Sequence, residues 1–115
     1  MDKSEKTLYD LKELRITASG DDDFMAEMIT LFIEQNEMCI READVLFGLK
    51  DFAGIKKLLH KIKPSAIVMG VSIAVEIIKQ IEQMDVKSVD EPLLKELLEK
   101  LAGILRTVNI QLQTR

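Results

Sequence analysis

Apolar positions along this chain recur every three or four residues, and no stretch shows the two-residue alternation of a half-buried strand. Between residues 52 and 69 the stripe is Phe52, Ile55, Leu59, Ile62, Ala66 and Met69. A longer segment, from Phe24 to about Leu46, carries Met25, Met28, Phe32, Cys39, Ala43 and Leu46, with Phe24, Leu31 and Met38 on a flanking face. The methionines suit irregular gaps in a core better than an adaptable groove. A further stripe, Ala74, Ile77, Ile78, Ile81 and Met84, predicts a helix from about Ser72. The last and longest is Leu94, Leu97, Leu98, Leu101, Leu105, Val108 and Leu112. Residues 7–15 add a short predicted helix with Leu8, Leu11 and Leu14 along one side.

Start and stop signals agree with this division. Asp21 is an expected N-cap, with Asp22 and Asp23 meeting the positive end of the helix dipole. The acidic run is a helix start and not a calcium loop, because a helix follows at once and the other ligand positions are missing. Gly48 is expected to end that helix, Asp51 to cap the next, and Gly70 to stop it. Pro92 falls in the first turn of the final helix, where its missing N–H does no harm. Gly103 costs that helix about 1 kcal/mol. Short connectors between consecutive amphipathic helices force antiparallel neighbours. The expected fold is all-α: an up-and-down four-helix bundle with a short extra N-terminal helix, in one domain over residues 1–115.

Composition narrows the function. A chain of 115 residues can bury roughly two thirds of its unfolded surface, enough for a core without staples. Cys39 is the single cysteine, which excludes an internal disulfide and favours a reducing cytoplasm. No apolar run approaches the about 18 residues of a membrane span, and the residues from Met1 to Lys6 lack a secretory h-region. The formal net charge is −4, which argues against a nucleic-acid binder. The basic residues around position 60 are therefore a local feature, suited to an anionic group met at one spot.

His60 is the only histidine, and it lies roughly 130° from the middle of its helix's apolar stripe, so it should face water. Lys56 and Lys57 lie one turn before it, Lys63 and Pro64 one turn after, and Ile67 two turns on. A neutral imidazole nitrogen is a competent nucleophile toward phosphorus. Lys63 and Lys57, at i+3 and i−3, can meet the charge of a phosphorylated product. Phosphoryl transfer asks mainly for positioning and charge stabilisation, so no pocket need be built.

The run His60-Lys61-Ile62-Lys63-Pro64-Ser65-Ala66, with Gly70, resembles the phosphoacceptor motif of histidine-containing phosphotransfer (HPt) domains. That motif is a histidine, a lysine three later, a small residue, then serine or alanine, and a glycine ten after the histidine. The likeness extends in helix order and length from about residue 8 to residue 112. It implies that His60 accepts a phosphoryl group on Nε2 from a receiver-domain aspartate and passes it on. It implies Lys63 as the cation on the phosphoryl oxygens. It also implies Glu82, 22 residues after the histidine, as the group that orients the imidazole. The family usually has glycine where this chain has Pro64, and a mid-helix proline costs about 3 kcal/mol and frees the His60 carbonyl. We expect Pro64 to bend the helix there and present a flat docking surface with Lys56, Lys61 and Ile67.

The implied partners are response-regulator receivers or a hybrid sensor histidine kinase, met by a monomer without nucleic acid or membrane insertion. No cofactor is expected to reside in the chain, and magnesium would come with the receiver. With no glycine-rich nucleotide loop, the chain reads as a phosphocarrier and not a kinase. The alternative is a bundle that docks a receiver or helix without taking phosphate. A hydrolase is disfavoured on an exposed convex face. Zinc is disfavoured too, since one histidine and one cysteine on different helices leave too few ligands, and no metal site is expected.

Overall fold

The computed structural model describes residues 6–115, so the absence of a leader read at the first residues lies largely outside it. Five helices follow in order: α1 (Lys12–Thr17), α2 (Asp22–Gly48), α3 (Phe52–Val68), α4 (Ser72–Glu82) and α5 (Glu91–Gln113). There is no strand among the described residues. The four long helices pack in a ring, α2 on α3, α3 on α4, α4 on α5 and α5 back on α2. This is the expected four-helix bundle. No described helix is long and apolar enough to cross a membrane.

Helices α3, α4 and α5 bury most of the stripe their sequences announce, with Phe52, Met84 and Leu98 half-buried at its edge. Ile55, Leu59, Ile62 and Ala66 of α3 meet Ala74, Ile77, Ile78 and Ile81 of α4, with Leu94, Leu97, Leu101, Leu105, Val108 and Leu112 from α5. Three aspartates cap helices as acceptors: Asp21 from the Phe24 amide, Asp51 from the Gly54 amide and Asp90 from the Leu93 amide. Each satisfies an amide that the first helical turn leaves without a partner.

Four points correct or refine the expected pattern. First, residues 6–10 are not helical, and α1 begins only at Lys12. Their backbone is committed elsewhere. The Leu8 amide donates to Gln111 Oε1, Gln111 Nε2 donates to the Lys6 carbonyl, and the Asp10 amide donates to the Met69 carbonyl. Leu8 and Leu11 still pack on the core, so the three-residue spacing reflects burial and not a helix.

Second, α2 does end at Gly48 as expected, but the left-handed residue of the turn is not that glycine. That residue is Lys50, at φ 57°, while a Cβ on Gly48 would meet nothing. Third, α2 buries Ile29 and Asn36 in addition to Met25, Phe32, Cys39 and Ala43. Asn36 Nδ2 donates to Asn109 Oδ1 at 2.9 Å, and Asn109 Nδ2 donates to the Ile33 carbonyl at 3.2 Å. This amide pair ties α2 to α5 at one register, because sliding either helix would bury unpaired amides. Fourth, of the α2 methionines Met25 is buried and Met28 packs half-buried against the core while also lining a groove. Met38 is 52 % exposed and, with Phe24, Met28 and Leu31, lines that groove of about 640 Å³ between α2 and α3.

Candidate functional site

The site is built on the outer face of α3 where it meets the end of α4. His60 projects from the middle of α3 with 77 % of its side chain exposed, opposite the buried stripe. Leu59 and Ile62 on either side are sealed in the core, so the backbone beneath the imidazole is rigidly seated.

Glu82 is the last helical residue of α4, and its carboxylate reaches back over α3. Its Oε2 lies 3.2 Å from His60 Nδ1, and its Oε1 accepts a 2.7 Å hydrogen bond from Lys63 Nζ. A carboxylate only accepts, so this contact favours the tautomer with the proton on Nδ1. Nε2 then keeps its lone pair for chemistry. Glu82 and Lys63 are mostly buried, with 21 % and 23 % of their side chains exposed, so their ion pair is only partly screened. The Lys63 hydrogen bond, helped by His60, holds the Glu82 carboxyl below its ordinary value of 4.5 against the opposing pull of burial.

That shift has a sign for stability. A carboxylate whose folded value is depressed contributes fully above 4.5, and its contribution is lost as pH falls through the lower folded value. A Lys63→Met substitution is therefore expected to move the Glu82 titration, followed by carboxyl NMR, back toward 4.5. It should also cost about 1 kcal/mol at neutral pH, and this difference should shrink as Glu82 becomes protonated in acid. An unchanged Glu82 midpoint in the variant would contradict the pairing.

The other expected residues divide. Lys56 does not extend outward: its Nζ donates to the Met84 carbonyl at 2.7 Å. Lys57, Lys61, Pro64 and Ile67 are exposed around the imidazole, and Lys57 is not hydrogen-bonded to the His60–Glu82–Lys63 cluster. Helix α3 runs without interruption through Pro64, so the proline removes one hydrogen bond without breaking the helix. Gly70 takes φ +66° just past α3, as a helix stop requires. Cys39 is buried, and burial, reinforced by the Glu42 charge, pushes its thiol up to about 12; it is no nucleophile at neutral pH.

Sequence reasoning missed the inward role of Lys56 and the open groove along α2. The seven-residue spacing of Phe24, Leu31 and Met38 was the available signal for the groove, since it places them on one line outside the buried stripe. For Lys56 the sequence holds no signal, because its acceptor is a backbone carbonyl 28 residues away.

An antiparallel helical bundle that displays one imidazole, tethered at Nδ1 and flanked by an ammonium group, defines a class of phosphoryl carrier. The family model of the Hpt domain matches residues 27–112, most of the chain and all of this site, and the chain belongs to that family. Hpt domains are phosphocarriers of two-component signal transduction and work with receiver domains and kinases. Neither a curated protein nor a solved structure matches the chain.

Proposed function

We propose that this chain takes a phosphoryl group onto His60 Nε2 from a receiver-domain phospho-aspartate and relays it to a second receiver. The observation that carries the reading is the shared carboxylate of Glu82, which engages His60 Nδ1 and Lys63 Nζ with separate oxygens.

The Nε2 lone pair attacks phosphorus as the bond from phosphorus to the aspartyl oxygen breaks, and the aspartate leaves as a free carboxylate. The ring gains positive charge as the N–P bond forms. Glu82 stands at Nδ1–H to offset that charge, and Lys63 stands one turn on to meet the phosphoryl oxygens. Lys57, exposed at i−3, supplies further positive charge from the other side. Return transfer to the next aspartate reverses the same steps. Magnesium comes with the receiver's acidic pocket, and the cytoplasm is the compartment where such partners meet.

The receiver contacts Pro64, Lys61 and Ile67 around the imidazole. Pro64 and Lys61 also form a wall of the α2–α3 groove, so the apolar surface beside His60 is continuous with it. A mixed surface of this kind suits transient association.

The test is incubation of the chain with a ³²P-labelled phospho-receiver and magnesium. Label should pass to the chain in a form that is labile in acid and stable in alkali, as a phosphoramidate is. Binding without label would instead favour a docking module.

A further inference from the structure

We infer that Lys56 is a positioning residue for the imidazole, acting through the end of α4. The inference rests on the reading of His60 as acceptor.

Glu82 occupies an awkward place. It is the final residue of α4, where the helix dipole disfavours negative charge and where helices fray. Beyond it the chain turns through Gln83 and Met84 into a connector with no regular structure before α5. A carboxylate on a fraying end would wander, and the Nδ1 contact would loosen with it.

Two ammonium groups from α3 prevent this. Lys63, one turn after His60, holds Glu82 itself. Lys56, one turn before His60, donates to the Met84 carbonyl two residues past Glu82. The two anchors bracket the imidazole along α3 and hold the end of α4 at Glu82 and, two residues on, at Met84. Lys56 also places positive charge at the negative end of the α4 dipole, which favours the last turn staying wound. Met84 is half-buried against the core, so its carbonyl is a fixed point for the lysine to grip.

No hydrogen bond or ion pair joins Lys56 to Glu82 or His60, so its effect must pass through the backbone at the α4 terminus. It differs in this from Lys57 and Lys61, which are exposed. Its ammonium is spent inward and adds little to a partner-docking charge.

The experiment compares wild type, Lys56→Met and Lys56→Arg. Methionine keeps the stem and removes the donor; arginine restores a donor. The readouts are the His60 tautomer, from ¹⁵N chemical shifts of the free protein, and the rate of transfer from a phosphorylated receiver. Wild type should be dominated by the Nδ1–H tautomer. Lys56→Met should shift the population toward Nε2–H and slow transfer about tenfold, since a misplacement of about 1 Å at a reacting group can cost on the order of a hundredfold. Lys56→Arg should recover both.

An unchanged tautomer in Lys56→Met overturns the inference, whether the rate falls or not, because a rate loss alone would place Lys56 in partner contact. Should Lys56→Met fail to fold, Lys56→Leu, which also removes the donor, takes the same two readouts with the same meanings. If wild type takes no phosphate at all, the acceptor reading fails while the tautomer comparison still decides the role of Lys56.

Discussion

A His60→Gln protein is expected to bind a phospho-receiver as wild type does and to take up no label. Glutamine carries an amide that can still donate toward Glu82, so the Glu82–Lys63 pair that lies beneath the ring stays in place. The replaced side chain is 77 % exposed, and substitutions at such positions move stability by about 0.5 kcal/mol or less. What disappears is the ring nitrogen with a free lone pair. No other described side chain offers the same chemistry at that face: Lys63 is paired with Glu82, and Cys39 is buried with its thiol pushed up to about 12. Ser65 is half-buried on α3 and would give a phosphoester that survives acid. Transfer should therefore fall to background, a loss limited only by the sensitivity of the label. Residual acid-labile label in His60→Gln would move the acceptor elsewhere.

Much of the bundle was readable because burial imposes a period. Leu59, Ile62 and Ala66 had to share a face, and once they did, His60 had to point away from it. Asp21 and Asp51 were readable for a similar reason, since a short acceptor before an apolar run serves the orphan amides of the first turn. The errors share a cause as well. Asn36 and Asn109 are polar, so apolar spacing passes over them; the Asn36 amide nitrogen is satisfied by Asn109, which donates in turn to the Ile33 carbonyl. The segment around Leu8 has a helical spacing but spends its amides on Gln111 and Met69, partners remote in sequence. In each case the deciding contact is tertiary, and local pattern holds no trace of it. Glu82 stands between the two kinds. The family resemblance implied its pairing with His60, yet only the fold shows that the same carboxylate also holds Lys63.

Gly70 is where this limit has its largest energetic consequence, and Gly70→Ala is expected to destabilise the protein by about 2–4 kcal/mol. Part of the cost is conformational. At φ +66° an alanine meets the left-handed penalty of about 1–2 kcal/mol. The rest is steric: a Cβ there would lie 2.5 Å from the Asp10 carbonyl oxygen and 2.7 Å from the Asp10 nitrogen. Those are backbone atoms and cannot swing aside as a side-chain tip could. The same Asp10 amide donates to the Met69 carbonyl, so relief requires the N-terminal segment to lift from the turn between α3 and α4. The melting midpoint should fall by about 10 °C. Gly103→Ala is the contrast, since its Cβ meets nothing and it lies inside α5; it should stabilise by about 1 kcal/mol. Removing residues 1–11 separates the two parts of the Gly70 cost. In that background Gly70→Ala should retain only the left-handed penalty, and the difference measures the coupling between the segment and the turn. Equal costs in the two backgrounds would mean that the segment does not press on Gly70, and that the glycine ten residues after the histidine serves the helix stop alone.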